Sequence, residues 1–183
     1  MSTPNLSKLQ KHTQKLPYTY ITREEVLSAQ QKWADGVVAI STAYLQGGDY
    51  VELSKKIAGE LYAFECTDVL FKPTKAKRYP FRSTPTEALS YFIGYESVSE
   101  GYSEDKGFAI NGGLGYKDCK FENHNIVFHN GIAIAMGTYT FTCYSTNETE
   151  RLEYTFGYIK CTDDTLKIFL HHSSLPYVPI VAN

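Results

Sequence analysis

The sequence predicts an α+β fold in which a curved antiparallel sheet wraps around a long N-terminal helix. Amphipathic helices occupy the first half of the chain, and strands joined by short turns occupy the second. Aromatic residues make up 14% of the 183 positions, a share that favours strands and large apolar pockets. A sheet curved around a helix encloses a cone with a pocket at its mouth. A flat two-layer sandwich is the alternative.

The long helix is predicted to begin at a capping box, Thr22-Arg23-Glu24-Glu25. In this motif the threonine side chain accepts from the amide three residues on, and the glutamate reaches back to the threonine amide. A second helix is predicted from Asp49, after Gly47-Gly48 ends the first, and a short third helix from the capping box Thr84-Pro85-Thr86-Glu87. Apolar residues recur along one face of the long helix: Val26, Ala29, Trp33, Val37, Ile40 and Tyr44.

The rest of the chain is typical of strands and turns. Asn130-Gly131 lies between two apolar runs and indicates a hairpin turn. The predicted strands cover residues 69–74, 107–110, 119–121, 125–129, 132–143, 150–160 and 165–174.

One domain accounts for the length, because domains typically contain about 100–200 residues. We expect it to span residues 21–183 and to follow a loosely ordered arm, residues 1–20, which is polar and aperiodic. The net charge is −2, without a basic stripe or a block of like charges, and this argues against a nucleic-acid partner. The longest apolar runs are too short to span a membrane.

The cysteines and the N-terminal residues indicate the cellular compartment of the protein. Four cysteines lie far apart in the chain and form no CxxC pair: Cys66, Cys119, Cys143 and Cys161. We expect four reduced thiols, because small disulfide-stabilised domains contain cysteine more densely. Residues 1–16 carry three lysines but no apolar segment of the kind a signal peptide has. These observations predict a cytoplasmic protein.

Common catalytic and metal-binding motifs are missing from the sequence, including GxSxG, the P-loop and HExxH. His171 and His172 are adjacent on a predicted strand, so they point to opposite faces and cannot both bind one ion. A three-histidine zinc site would need one of them together with His124 and His129 from another segment. A zinc site is therefore not favoured.

The end of the last predicted strand carries four consecutive side chains that can exchange protons, residues 171–174. Alternation places His172 and Ser174 on the same face as Ile168 and Leu170, and these two apolar residues predict that this face looks inward. The other interpretation is a strand end whose side chains satisfy neighbouring backbone groups.

Three further polar residues allow two interpretations each. Thr74 ends a predicted strand and Tyr91 lies on the short helix, and buried hydroxyls of this kind often need no more than a hydrogen-bond partner. Glu153 is either an exposed carboxylate or an acid in the pocket, and Arg82 is a candidate partner for it.

Seven short strings, taken in order, resemble the iota-class carbonic anhydrases, whose hallmark is the HHSS run. The resemblance covers about residues 22–177. The strings are Leu70-Phe71-Lys72-Pro73-Thr74, Phe81-Arg82, Ser90-Tyr91-Phe92-Ile93-Gly94, Asp105-Lys106-Gly107-Phe108-Ala109, Ala135-Met136-Gly137, Glu153-Tyr154-Thr155-Phe156-Gly157-Tyr158 and Leu170-His171-His172-Ser173-Ser174-Leu175-Pro176-Tyr177.

The resemblance implies an NTF2-like cone, similar to the association domain of calmodulin-dependent protein kinase. It also implies a lyase that reversibly hydrates CO2 to bicarbonate. Some members of the family depend on manganese and others work without metal; we expect no metal cofactor here. The catalytic residues that the resemblance implies are Thr74, Tyr91, His171, His172, Ser173 and Ser174.

A metal-free mechanism needs an apolar cavity for CO2 and a base for the attacking water. The neutral imidazole of His171 or His172 suits a general base near neutral pH. Tyr91, Thr74 and a serine of the run would donate hydrogen bonds to the oxygen that gains charge. The candidate walls of the CO2 cavity are Phe92, Phe108, Phe141 and Phe156.

Two other functions remain open on the residues alone. The cone could serve as a non-enzymatic oligomerisation or binding module, without turnover. It could also be a small-molecule isomerase or cyclase with Glu153 as its acid or base. Because this fold often pairs through its sheets, we expect a homodimer.

Overall fold

Three helices precede or flank a five-stranded sheet in the structure, a computed structural model that describes residues 20–179. Helix α1 spans Arg23–Leu45, α2 Tyr50–Leu61 and α3 Pro85–Ile93. The capping box of α1 is confirmed: Glu25 N–H donates to Thr22 Oγ1 at 3.2 Å, and Thr22 N–H donates to Glu25 Oε2 at 2.8 Å. The predicted arm, residues 1–20, lies outside the described residues except for Tyr20.

The sheet confirms the predicted α+β class and changes one detail of it. Its strands are β1 (Leu70–Lys72), β2 (Tyr116–His129), β3 (Ile132–Cys143), β4 (Thr149–Lys160) and β5 (Leu166–Ser174), in the order β1-β5-β4-β3-β2. Neighbours are antiparallel except β1 and β5, which are parallel, so the prediction of a purely antiparallel sheet is wrong. The difference matters because β1 adds its residues to the same edge where β5 carries the HHSS run.

Two strand predictions in the second half also change. Residues 107–110 form a turn instead of a strand. The amides of Phe108 and Ala109 donate to the carbonyls of Tyr91 and Phe92, and so satisfy the C-terminal end of α3. The two short strands predicted at 119–121 and 125–129 are one strand, β2, with an irregularity between Asn123 and Asn125.

Helix α1 lies across the inner face of the sheet. Trp33, near its middle, is buried and stacks on Tyr139 with ring centroids 5.6 Å apart. Its ring also meets Phe141 and Phe156 edge-on, at 6.2 and 5.7 Å. Neither α1 nor any other helix within residues 20–179 combines the length and apolar character that a membrane crossing requires.

The cysteine prediction is wrong in part, because Cys66 and Cys161 form a disulfide whose Cα atoms are 5.9 Å apart. Cys119 and Cys143 are buried free thiols. The bridge joins the connection after α2 to the turn between β4 and β5. The two cysteines are 95 residues apart in sequence, and only the folded sheet brings them together.

We expect reduction of this disulfide to lower the free energy of unfolding by about 2–4 kcal/mol, because the bridge restrains a long loop in the unfolded chain. Urea unfolding with and without dithiothreitol measures the change. The Cys66→Ser/Cys161→Ser protein is the control, since its stability should not respond to the reductant. Four titratable thiols in the unreduced, unfolded protein would contradict the bridge.

Candidate active site

The last strand turns one histidine and one serine of the HHSS run inward. His171 and Ser173 are 2% and 1% exposed, whereas His172 is exposed on the opposite face. Ser174 is half-buried on that outer face, where its Oγ donates to Glu153 Oε2 at 3.1 Å. The prediction that His172 and Ser174 face inward is therefore wrong.

A β-bulge explains the reversal. Gly157 of β4 pairs with Leu170, and the next residue, Tyr158, pairs with Ile168, which leaves Phe169 without a partner in the register. An extra residue shifts the alternation by one position, so every side chain beyond it changes face. Gly157 permits this geometry, because a Cβ at that position would lie 2.8 Å from the Phe169 ring.

The parallel pairing of β1 with β5 brings the other predicted residues to the same place. Phe71 of β1 is opposite His171, and its ring stacks on the imidazole at 4.7 Å. Thr74 lies two residues after the end of β1. Tyr91 projects from α3, with its ring edge-on to Phe71 at 5.8 Å. Thr74, Tyr91, His171 and Ser173 thus surround one region of the inner face.

A chain of hydrogen bonds runs through the buried His171. Trp33 Nε1–H donates to the Tyr62 hydroxyl at 3.0 Å, and that hydroxyl lies 2.7 Å from His171 Nδ1. On the other side of the ring, His171 Nε2 lies 3.0 Å from Ser173 Oγ, which also contacts the Tyr139 hydroxyl. Both imidazole nitrogens are therefore engaged by the protein itself.

Thr74 lies between this chain of hydrogen bonds and Tyr91. Its side chain is close enough to the hydroxyls of Tyr91 and Tyr139 to lower the pKa of each, against the larger rise that burial causes. Tyr91 also accepts a hydrogen bond from the Lys75 amide at 3.3 Å. A cavity of about 240 Å³ opens beside this group, lined among others by Lys75, Tyr91, Phe108 and Tyr116. The hydroxyl cluster, comprising Thr74, Tyr91, Tyr139 and Ser173, thus has access to a cavity on its Tyr91 side.

Burial sets the protonation state of these groups. Desolvation lowers the pKa of His171 well below its ordinary value, with a smaller contribution from the charge on His172, so the ring is neutral. Desolvation likewise raises the pKa of the Tyr62, Tyr91 and Tyr139 hydroxyls. Each tyrosine hydroxyl keeps its hydrogen and can donate it.

The four phenylalanines proposed as cavity walls are all buried around this region. Phe156 lies edge-on to His171 at 4.1 Å, and Phe108 stacks on Tyr91 at 5.4 Å. Phe141 lies 4.9 Å from Tyr139, and Phe92 stacks on Phe71 at 5.5 Å. The hydroxyl cluster is therefore enclosed by apolar rings, which suits a small apolar substrate.

Two other predicted features lie elsewhere. Glu153 is exposed on the outer face of the sheet, so it is not an acid of the pocket. Arg82 pairs with Asp105 instead of Glu153, with Nη2 to Oδ1 at 2.7 Å. Within residues 20–179, no group of three or more His, Cys, Asp or Glu side chains is arranged to hold a metal ion.

Sequence reasoning missed three members of the site. The periodicity of α1 predicts that Trp33 packs on the core, and its burial confirms this, but periodicity does not indicate its hydrogen bond to Tyr62. Tyr62 is the residue immediately after the end of α2, and Tyr139 is a residue of β3 whose side chain faces inward. Because the chain contains fifteen tyrosines, its composition does not indicate which of them belong to the site.

Comparison with known proteins identifies the family of this chain. The family model for metal-independent carbonic anhydrase matches residues 24–175. A metal-independent carbonic anhydrase from Nostoc sp. (strain PCC 7120 / SAG 25.82 / UTEX 2576) is 36% identical over 160 residues, which cover 86% of this chain and 75% of the relative. The crystal structure of a cyanobacterial iota-carbonic anhydrase complexed with bicarbonate superposes with a TM-score of 0.81 and 31% identity, covering 98% of this chain and 100% of that one.

A more distant structure supports the fold alone. It comes from Thiobacillus denitrificans ATCC 25259 and is described as belonging to calcium/calmodulin-dependent protein kinase type II association domains. It is 11% identical, covers 86% of this chain and 98% of its own, and has a TM-score of 0.53. The family match, the curated relative and the iota-class structure decide the identity: this chain belongs to the metal-independent carbonic anhydrases, of the iota class.

Proposed function

We propose that the hydroxyl cluster, together with His171, is where this enzyme interconverts CO2 and bicarbonate. The observation that carries the proposal is the parallel pairing of β1 and β5, which brings the half-buried Thr74, two residues beyond β1, to the edge where His171 and Ser173 are buried. The solved iota-class relative holds bicarbonate, and the same ligand suits a buried group of hydrogen-bond donors here.

In the proposed step a water oxygen attacks the carbon of CO2 while one carbon–oxygen π bond becomes the lone pair of an oxyanion. The product is bicarbonate, and the water proton leaves to solvent through the 240 Å³ cavity beside Tyr91. Hydroxyls of Thr74, Tyr91 and Ser173 donate to the oxygen that gains charge. Preorganised donors in a dry site stabilise such charge more strongly than water does.

His172 and Ser174, which the resemblance includes among the catalytic residues, have no role in the proposed step. Both lie on the outer face of β5, on the far side of the sheet from the hydroxyl cluster. Phe92, Phe108, Phe141 and Phe156 form the apolar surroundings in which CO2 would be held.

We expect the purified enzyme to hydrate CO2 after its metal has been removed. Stopped-flow measurement with a pH-indicator dye, on chelator-treated protein whose metal content has been assayed, gives the rate. The untreated protein is the control and should give the same kcat. A rate that disappears with chelation and returns only with manganese would contradict both the metal-free reaction and the site proposed for it.

We also propose a homodimer formed through the outer face of the sheet. Val127 and Ile134 are cross-strand partners and are 57% and 41% exposed, and Met136, two residues on, is 52% exposed. Adjacent exposed apolar side chains of this kind often mark an interface. Sedimentation should show a dimer that Met136→Lys converts to a monomer, whereas Leu27→Lys on α1 should not. A wild-type monomer at micromolar concentration would refute the proposal.

The cytoplasmic location that the sequence suggested stays a prediction. The Cys66–Cys161 disulfide counts against it, because disulfides persist mainly in oxidising compartments.

A further inference from the structure

The hydrogen-bond chain through His171 has a direction that its chemistry imposes. It runs Trp33, Tyr62, His171, Ser173, Tyr139, and each neighbouring pair is in hydrogen-bond contact. The chain begins at an indole N–H, which donates and cannot accept. The Tyr62 oxygen therefore accepts from Trp33, and the Tyr62 hydrogen remains available for another acceptor.

That hydrogen has one destination among the described residues. The Tyr62 hydroxyl is buried, and within residues 20–179 its hydrogen-bond contacts are Trp33 and His171. A buried hydroxyl that does not donate loses a bond which water would otherwise supply. Tyr62 thus donates to His171 Nδ1, which must carry a lone pair and no hydrogen.

The state of Nδ1 determines the state of Nε2. A neutral imidazole has one hydrogen, so an unprotonated Nδ1 places that hydrogen on Nε2. Burial keeps the ring neutral by lowering its pKa. Nε2–H then donates to Ser173 Oγ, 3.0 Å away. The direction set at Trp33 is therefore carried through the ring to the serine.

The direction of these hydrogen bonds leaves one donor free at the Tyr139 end of the hydrogen-bond chain. Each of the five side chains has one hydrogen that it can donate, and only four hydrogen bonds join them. One hydrogen is left over, and the direction of the chain places it on Ser173 or Tyr139, within the hydroxyl cluster. It is available to Thr74 or to a ligand oxygen.

We propose that Tyr62, oriented by Trp33, is a positioning residue that fixes His171 as the Nε2–H tautomer, so that His171 acts on the ligand through Ser173 as a hydrogen-bond donor and not as a base. This rests on the proposed location of the active site. It gives the site a preference for ligands that accept hydrogen bonds, namely bicarbonate and the oxyanion that forms as water adds to CO2.

The tautomer is measured by long-range ¹H–¹⁵N correlation on ¹⁵N-labelled protein at neutral pH. The signals of His171 are those absent from His171→Gln. We expect the wild-type protein to carry the hydrogen on Nε2. In Tyr62→Phe we expect the Nδ1 signal to shift, as the nitrogen loses its donor, and kcat to fall about 10–100-fold with little change in KM, in line with the loss of comparable orienting partners.

Tyr158→Phe is the matched control. Tyr158 is also a buried tyrosine, but its hydroxyl has no hydrogen-bond partner in the described part of the chain, so both readouts should stay at their wild-type values. A wild-type His171 with its hydrogen on Nδ1 would overturn the inference, even if Tyr62→Phe failed to fold. A folded Tyr62→Phe protein with unchanged His171 signals, or with changed signals and unchanged kcat, would overturn it as well.

The two proposals can fail separately, because the spectrum does not depend on turnover. An Nε2–H ring whose signals respond to Tyr62→Phe, in a protein whose rate is unaffected by Ser173→Ala, would refute the proposed active site and support the tautomer. Full activity without metal, together with a His171 ring that carries its hydrogen on Nδ1, would refute the tautomer and leave the proposed active site standing.

Discussion

Ser173→Ala should lower kcat for CO2 hydration about 100- to 1,000-fold, which is the usual cost of removing one donor from an oxyanion-type site. Ser173 Oγ is buried, lies 3.0 Å from His171 Nε2 and contacts the Tyr139 hydroxyl, so its loss removes the link between the imidazole and the hydroxyl cluster. Stopped-flow CO2 hydration on metal-depleted protein measures the change.

The neighbouring residue provides the control. Ser174 has the same side chain and lies on the same strand, but it faces outward and donates to Glu153. Ser174→Ala should therefore leave kcat at the wild-type value. His171→Gln and His172→Gln form a second matched pair, with the loss expected only for His171→Gln. A larger loss at Ser174 than at Ser173 would show that the other face of β5 is the catalytic one.

Arg82→Met should lower the free energy of unfolding by about 3–5 kcal/mol, the range measured when one partner of a buried ion pair is removed. Arg82 and Asp105 are fully buried side chains joined by two hydrogen bonds, at 2.9 and 2.7 Å. Asp105 also accepts from Ser90 at 2.6 Å, and the Arg82 guanidinium lies 4.4 Å from the Tyr102 ring centre. Without Arg82, the carboxylate would remain buried and unpaired.

Urea unfolding at neutral pH measures the loss of stability in Arg82→Met, and two further variants test its cause. Arg82→Met/Asp105→Leu should recover part of the lost stability, because a buried pair replaced by apolar side chains leaves no charge unpaired. Lys55→Met removes one partner of an exposed pair, Lys55 and Glu52, and should change stability by less than about 1 kcal/mol. Equal effects of Arg82→Met and Lys55→Met would contradict the assigned role of the buried pair.

Local sequence signals predicted the helices of this enzyme well. The capping boxes at Thr22 and Thr84 and the aspartate at Asp49 each begin a helix where expected, because a cap is decided by residues three positions apart. The hairpin at Asn130-Gly131 follows from the same kind of local chemistry: both residues have positive φ, 46° and 78°.

Features that depend on distant residues were not predictable in the same way. Pairing of β1 with β5 joins residues about one hundred positions apart, and it decides both the parallel strand and the placing of Thr74 near Ser173. The Cys66–Cys161 bridge and the contact between Tyr62 and His171 depend on the same long-range approach. The resemblance to a known family supplied the residue types of the site, but not their faces.

The bulge at Phe169 decides which histidine and which serine of the HHSS run face the pocket. The run contains two interleaved copies of the same pair, His171 with Ser173 and His172 with Ser174. If β5 slipped by one position, the pocket would still receive a histidine and a serine with the same spacing. The sequence of the run therefore does not determine which of its two His–Ser pairs faces the pocket. The choice between them depends on Gly157, whose missing side chain leaves room for the Phe169 ring.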